Sequence, residues 1–142
     1  MKISTKGRYA LRMMIDLAEN TGGDTGGGFV ALKDIAERQK ISKKYLEQIV
    51  PPLLRGGLLR TNRGYQGGYM LTRSPADYTV GDILRVTEGN MAPVACLQSE
   101  VNTCERRDIC PSLAVWQGLH NAISEYLDGI TLQDIIDGKA GK

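Results

Sequence analysis

The chain has 142 residues, of which 42% are hydrophobic and 24% are charged, a composition typical of one globular domain with at most a helical extension. No apolar run reaches the roughly 18 residues of a membrane span, and the polar N-terminus lacks a signal-peptide core, so we expect a cytoplasmic protein. The net charge of +2 divides unevenly: residues 1–73 carry 13 basic against 6 acidic side chains, and residues 74–142 carry 5 against 10. This asymmetry indicates that the first half faces a polyanion.

Three helices are predicted in the first half. Ser4 or Thr5 caps a first helix that ends near Asn20 and whose apolar residues recur at three- and four-residue spacing. A second helix, over residues 32–39, is followed after a short turn by Ser42, a favourable N-cap for the third helix. Two helices joined by so short a turn predict a helix-turn-helix.

A β-hairpin is predicted after the third helix. Pro51-Pro52 is expected to kink that helix or to make it restart after a break. Two strand-like runs, residues 58–61 and 68–72, flank a glycine-rich tip at residues 62–67. Since a helix-turn-helix followed by a hairpin is a winged helix, we expect a mainly α fold with a small β-hairpin wing. Residues 1–73 then form a winged helix-turn-helix DNA-binding domain.

Residues 74–142 are expected to contain a sensor loop and dimerisation helices. Thr79 and Thr131 cap short helices, and residues 89–109 show no steady period. Ser112, or the proline before it, opens a long C-terminal helix. An apolar stripe with the spacing of a helix–helix seam runs along it, and its members are Leu113, Trp116, His120, Ile123 and Leu127. The stripe predicts a homodimer, with packing inside its own domain as the alternative.

Polar side chains at the start of the third helix are suited to contact DNA. Lysine bonds guanine or phosphate, glutamine pairs with adenine, tyrosine more often holds a phosphate, and glutamate accepts from a cytosine amine. Arg63 at the hairpin tip suits a narrow A·T minor groove, whereas Arg60 and Lys6 would neutralise phosphates. An ordinary solvated helix face is the alternative. The predicted DNA-contacting residues are Lys43, Lys44, Tyr45, Glu47, Gln48, Arg60 and Arg63.

The three cysteines, Cys96, Cys104 and Cys110, lie in or beside one irregular segment. An odd number argues against a disulfide framework and favours free thiols or metal ligands. Soft sulfur ligands favour an iron–sulfur cluster or zinc, although the CxxC pair usual in structural zinc sites is absent. Three unrelated buried thiols are the alternative. The sequence contains no nucleophile–base pair or phosphate loop, which argues against an enzyme.

Several motifs of this chain are those of a known family. They are KISTKGRYA at residues 2–10, Ile41-Ser42 with Tyr45–Gln48, Arg63-Gly64 with Gly67–Tyr69, Gly81–Ile83 and Ile130–Leu132. Together they resemble the winged-helix regulators that sense iron–sulfur cluster status, nitric oxide or cysteine supply, the IscR, NsrR and CymR group. The resemblance implies a homodimer that reads a palindromic operator in double-stranded DNA. It also implies that Cys96, Cys104 and Cys110 hold a 2Fe–2S cluster, as in the cluster-bearing branch.

One position departs from the best-known cluster-bearing members, which place a histidine ligand three residues after the last cysteine. That position is Leu113, which cannot ligate iron. His120 lies seven residues further along, roughly 10 Å on a helix, and is expected to be a core or interface histidine. The fourth ligand therefore stays open among Glu105, Asp108, a group of the partner's first helix and an exogenous ligand.

We interpret the sequence as a dimeric transcription regulator whose operator binding is controlled by a 2Fe–2S cluster, with repression the commoner behaviour in the family. Cluster loss or a redox change is expected to alter residues 89–111 and thereby the angle between the two winged helices. One alternative is a cluster-free regulator of cysteine or sulfur metabolism whose cysteines are oxidised or persulfidated directly. Another is an iron–sulfur carrier or scaffold whose basic half binds a protein.

Overall fold

The computed structural model describes residues 2–20, 28–62 and 68–141, and these are mainly helical with one two-stranded sheet, as predicted. The helices and strands are α1 (Thr5–Asn20), α2 (Leu32–Gln39), α3 (Lys43–Arg55), β1 (Leu59–Asn62), β2 (Gly68–Leu71), α4 (Val80–Glu88), α5 (Leu113–Asp128) and α6 (Leu132–Ile136). Short 3-10 turns lie at Pro75–Asp77 and Ala95–Leu97. No helix within the described ranges is long and apolar enough to cross a membrane.

The helix-turn-helix is confirmed, and three residues make its turn. Lys40 closes α2 in the left-handed conformation with φ of 56°, and the N–H of Ile41 donates to the Ala36 carbonyl at 3.1 Å. Ser42 then caps α3, because its hydroxyl accepts from the Tyr45 N–H at 3.1 Å. The turn and the cap together fix where the first side chains of α3 emerge.

Of the two effects expected of Pro51-Pro52, a kink or a break, the break is wrong, since α3 runs from Lys43 to Arg55. A proline inside a helix removes the hydrogen bond to the carbonyl four residues earlier. Those carbonyls belong to Glu47 and Gln48, which are exposed, so water can take the place of the missing donors. On the opposite side Ile49 and Leu53 are fully buried and keep the helix on the core.

The hairpin is the small antiparallel sheet β1–β2, paired from Leu59↔Leu71 to Asn62↔Gly68. Val30 adds one bridge at its edge, with backbone bonds of 2.8 and 2.9 Å to Tyr69. The hairpin tip and Arg63 lie outside the described residues.

Tyr78 anchors the segment after the wing to the core. Its side chain is fully buried, and its hydroxyl donates to the Leu58 carbonyl at 2.7 Å while accepting from the Thr72 N–H at 2.7 Å. This side chain therefore joins the α3–β1 connection to the end of β2.

The helices α4 and α6 pack on the same core as α1. Thr79 and Thr131 each form a reciprocal capping box with the aspartate three residues later, as their sequence signature predicts. Both Ile83 of α4 and Leu132 of α6 are fully buried in the cluster that contains Met13, Met14 and Leu17 of α1. The second half thus contributes to the first half's core, while the functional division at residue 73 stays a prediction.

Candidate nucleic-acid interface and thiol loop

The start of α3 presents a polar surface to solvent. Lys43, Lys44, Glu47 and Gln48 are all exposed, and Tyr45 is half-buried. The opposite side of the helix is apolar, with Leu46 and Ile49 fully buried. We call the five residues Lys43, Lys44, Tyr45, Glu47 and Gln48 the reading face, because an exposed helix start of this kind has the donors and acceptors that base edges require.

Tyr45 is held from α1 by an aromatic contact that sequence reasoning missed. The rings of Tyr9 and Tyr45 lie 5.5 Å apart at 80°, an edge-to-face arrangement. The guanidinium of Arg12 lies 5.2 Å from the centre of the Tyr9 ring. Arg12 also donates to the Gln39 side chain at 3.2 Å and to the Gln39 carbonyl. These contacts tie the orientation of Tyr45 to α1 and to the end of α2.

A buried carboxylate fastens α1 to α2. Asp16 is 1% exposed and accepts two bonds from Arg38, at 2.7 and 3.0 Å, and one from Gln39 at 2.9 Å. The hydrogen bond to Asp16 raises the pKa of the Arg38 guanidinium. Because the guanidinium binds both carboxylate oxygens, this pair fixes the relative orientation of the two side chains as well as their separation. It therefore sets the angle between the two helices that carry α3.

Of the three other basic residues predicted to contact DNA, the structure describes two. Arg60 is exposed on β1, and Lys6 is half-buried on the first turn of α1. Arg63 lies outside the described residues. Arg60 is thus exposed on a strand of the hairpin, and the minor-groove role of Arg63 stays a prediction.

All three cysteines are free and lie in one connection between α4 and α5, residues 89–112, which we call the thiol loop. Cys96, in the 3-10 turn, is half-buried, Cys104 is exposed, and Cys110 is half-buried. The N–H of Cys104 donates to the Asn102 side chain at 2.9 Å. Local bonds of this kind hold the loop, and none of its three cysteines is fully buried.

Cys110 lies just before α5 in surroundings that favour the thiolate. Its sulfur is 3.2 Å from the Ser112 hydroxyl. That hydroxyl, followed by the backbone N–H groups of Leu113 and Ser112 and the charge of Arg106, lowers the pKa of the Cys110 thiol. A thiolate is the form that binds metals and attacks electrophiles, so this site suits either chemistry.

The thiols do not converge on one point. Among the described residues, no group of three or more His, Cys, Asp or Glu side chains is arranged to hold a metal ion. The donor set nevertheless has the chemistry of an iron–sulfur site, with three free soft ligands on one connection. On α5, Nδ1 of His120 is buried and has no hydrogen-bond partner among the described residues.

The helix α5 leaves its apolar residues uncovered. None of its 16 residues is buried. Of the predicted seam, Trp116 is 38% exposed, whereas the other four members are half-buried: Leu113, His120, Ile123 and Leu127. A neighbouring set is more open still, with Val115 at 61%, Leu119 at 41% and Tyr126 at 59%. The helix thus has two adjacent apolar stripes, and the sequence analysis identified only the inner one.

Comparison with known proteins gives four concordant matches. The Rrf2 model, described as an iron-dependent transcriptional regulator, matches residues 3–138. The transcriptional regulator CymR of Bacillus subtilis is 43% identical over 135 residues, covering 95% of this chain and 89% of CymR. The solved structure of CymR, the global cysteine regulator of B. subtilis, has a TM-score of 0.77, covers 95% of each chain and is 42% identical. That of T. potens IscR has a TM-score of 0.74 at 40% identity, covering 97% of this chain and 88% of IscR.

These matches confirm the resemblance to the IscR, NsrR and CymR group and the winged-helix fold. They also agree with the expectation that the chain is not an enzyme, because the relatives are transcriptional regulators. The chain belongs to the Rrf2 family of winged-helix transcriptional regulators.

Proposed function

We propose that this regulator reads operator DNA with the reading face of α3, and that the state of its thiol loop sets how tightly it binds. The observation that carries the DNA-reading role is the Ser42-capped start of α3, where four polar side chains are exposed and Tyr45 is braced by Tyr9. In helix-turn-helix proteins this part of the second helix enters the major groove. Lys43 and Lys44 would contact phosphate or guanine, Gln48 an adenine and Glu47 a cytosine amine.

Arg60 and Arg63 would extend this contact along the wing. Arg60 neutralises phosphate and Arg63 enters the minor groove. The test is an operator titration at several salt concentrations. Lys43→Ala or Lys44→Ala reduces the salt slope by about one if the lysine contacts a phosphate. Lys139→Ala, which removes an exposed lysine of the C-terminal segment, is the matched control and leaves the slope unchanged.

We propose that two copies pair through α5 and bind a palindromic operator. The exposed stripe of Val115, Trp116, Leu119 and Tyr126 supports this, because a monomer would leave it in water. Beside it, an apolar groove of about 370 Å³ runs between α5 and Ile3. The predicted interface, Leu113, Trp116, His120, Ile123 and Leu127, is thereby extended to the outer stripe. Two-fold symmetry matches a palindrome.

The signal we propose is a 2Fe–2S cluster held by Cys96, Cys104 and Cys110, with transcription repressed by the bound dimer. A cluster at this position would supply a redox-active centre whose stability depends on its ligands. The thiol loop leads directly from α4, whose Glu88 side chain accepts bonds from both the N–H and the hydroxyl of Ser4, the latter at 2.5 Å. A change in the loop can therefore reach the start of α1. It alters operator affinity only if the two loop states bind DNA differently.

Direct thiol sensing is the second candidate, and Cys110 favours it. Its lowered thiol pKa and its half-buried position suit oxidation or persulfidation without a metal. The likeness to CymR, named as a cysteine regulator, points the same way. This candidate leaves the DNA-binding role unchanged.

The experiment that separates the two candidates is a visible absorption spectrum of protein purified without oxygen, with iron and sulfide assays on the same sample. The cluster proposal predicts a brown protein with two irons and two sulfides per chain, the stoichiometry of a 2Fe–2S cluster. Cys96→Ala, Cys104→Ala and Cys110→Ala each lower that content. A colourless protein that takes up no iron on reconstitution would leave direct thiol sensing.

A further inference from the structure

The N-terminus of α1 is capped by a residue of another helix. The hydroxyl of Ser4 accepts from the N–H of Gly7 at 3.1 Å, as an N-cap side chain does. In a capping box, an acidic side chain at the third helical position accepts from the N-cap N–H, but that position of α1 is Gly7. Glu88, the last residue of α4, takes its place, because its Oε1 accepts from the Ser4 N–H at 2.9 Å. We call Ser4, Gly7 and Glu88 the shared cap.

Glycine at position 7 leaves room for the carboxylate from α4. A Cβ on this residue would overlap Oε1 of Glu88 and lie 3.0 Å from its Cδ. Gly7 is buried within α1, where glycine is less favourable than alanine. The shared cap accounts for this glycine, since any larger residue would push the Glu88 carboxylate away from the Ser4 N–H.

At its other end the shared cap is tied to the thiol loop. Glu88 is followed by Gly89, whose φ of 75° and ψ of −123° favour glycine and fix the direction in which the loop leaves α4. The side-chain amide of Asn90 then donates to the Gln98 carbonyl. The Gln98 N–H closes the 3-10 turn that contains Cys96, with a bond of 3.1 Å. A displacement of this turn therefore acts on a residue two positions after Glu88.

The first turns of α1 also support the reading face. Tyr9 lies two positions after Gly7 and contacts the ring of Tyr45, and Arg12 donates to Gln39 at the end of α2. A helix is a rigid element, so a shift at its first turn moves the residues of the next turn as well. The shared cap thus lies between the thiol loop and the support of Tyr45.

We propose that Glu88 couples the thiol loop to the reading face by positioning the start of α1, an inference that depends on the control by the thiol loop proposed above. While the shared cap is closed, α1 holds Tyr45 in place. When the Cys96 turn moves, Asn90 draws Glu88 away from Ser4 and the start of α1 is released. The two arrangements present Tyr45 differently and so bind the operator with different affinities. Glu88 is a positioning residue in this scheme.

The test is a set of operator titrations by fluorescence anisotropy on the full chain, kept reduced and free of iron so that the loop stays in one state. Asn90→Ala removes the bond between the loop and the residues next to the shared cap, and Asn102→Ala, the matched control, removes a second amide of the same loop. Each is combined with Glu88→Ala and with Gly7→Ala. Glu19→Ala controls for the lost charge, because it removes an exposed carboxylate at the other end of α1.

With the shared cap intact, we expect Asn90→Ala to lower operator affinity about fivefold, a modest coupling between two sites, and Asn102→Ala to leave it unchanged. In the Glu88→Ala and Gly7→Ala backgrounds, Asn90→Ala should have no further effect. Its effect should be retained with Glu19→Ala and with Glu88→Gln, whose amide oxygen can still accept the same bond. Gly7→Ala should not lower the urea midpoint, since the gain in helix propensity offsets the lost cap bond, so its loss of coupling is not a loss of stability.

An Asn90→Ala variant that binds the operator as tightly as wild type would overturn the proposal. An equal fall in affinity with and without the shared cap would overturn it too. Neither outcome refutes control by the thiol loop itself, which is tested on cluster-loaded and cluster-free protein that carries none of these substitutions. Because Gly7→Ala opens the shared cap without changing Glu88, the proposal can be refuted even if Glu88→Ala fails to fold.

Discussion

The hydroxyl of Tyr78 joins three parts of the chain, and removing it should destabilise the fold measurably. In Tyr78→Phe the ring can stay in place, including its contact with the Arg73 guanidinium, which lies 4.8 Å from the ring centre. What is lost is the bond to the Leu58 carbonyl and the bond from the Thr72 N–H, both 2.7 Å long, together with the 3.0 Å hydrogen bond between the Tyr78 and Thr72 hydroxyls. The substitution therefore tests one polar atom in an otherwise unchanged core.

The expected loss of stability depends on whether water can replace the lost hydrogen bond at each partner. Leu58 is 2% exposed, so its carbonyl gains little from water, and an orphaned buried group costs about 1–3 kcal/mol. Thr72 is exposed, so water can replace the bond at its N–H at little cost. We expect the free energy of unfolding to fall by about 2 kcal/mol. With a urea slope of about 2 kcal/mol per M, the midpoint falls by roughly 1 M.

The assay is urea unfolding of wild type and Tyr78→Phe at one protein concentration, because a dimer's midpoint depends on concentration. Tyr69→Phe is the matched control, since it removes a hydroxyl from a half-buried tyrosine of β2. The slope should be unchanged. A midpoint for Tyr78→Phe equal to that of the control would refute the idea that this hydroxyl holds the second half of the chain to the wing.

Three further predictions concern the reading face, the dimer and the α4–α5 contact. Tyr9→Leu should weaken operator binding about fivefold, because it removes an aromatic pair that contributes roughly 1 kcal/mol. Tyr9→Phe retains the ring and should bind the operator as tightly as wild type. If anisotropy titrations show the same loss for unrelated DNA, Tyr9 does not act by orienting Tyr45. Trp116→Asp should shift sedimentation towards the monomer, and Asn121→Asp on the same helix should not. An unchanged dimer would exclude the apolar surface of α5 around Trp116 as the interface. Arg85 donates to Asp128 at 2.8 and 2.7 Å and lowers the pKa of that carboxyl. The stability that this ion pair contributes is therefore fully present above the unfolded-state pKa of Asp128, about 3.9, and is lost as the pH falls through its lower folded-state pKa. Both side chains are more than 40% exposed, so Asp128→Asn should lower the free energy of unfolding at neutral pH by no more than about 1 kcal/mol. The variant should also lose less stability than wild type as the pH falls. Urea midpoints of the variant that run parallel to those of wild type between pH 3 and 7 would contradict this.

Local signals in the sequence were enough to place most elements. Ser42, Thr79 and Thr131 cap helices as predicted, because an N-cap depends on residues within four positions of one another. The hairpin was predictable for the same reason. The choice between a kinked helix and a broken one was not predictable, because the effect of Pro51-Pro52 depends on which carbonyls lose their hydrogen-bond donors and on whether water reaches them.

The site depends on contacts that sequence spacing does not reveal. Tyr9 and Tyr45 are 36 positions apart, and only the packing of α1 against α3 brings their rings together. The outer stripe of α5 was missed because apolar residues surround much of that helix, so periodicity alone could not select the exposed side.

The most direct test of the account is one pair of operator titrations, made without oxygen and at one salt concentration, on cluster-loaded and cluster-free wild-type protein. We predict different affinities for a palindromic operator and equal affinities for unrelated DNA, because the thiol loop biases the arrangement of the two reading faces. Equal operator affinities in the two states would contradict control by a cluster on the thiol loop.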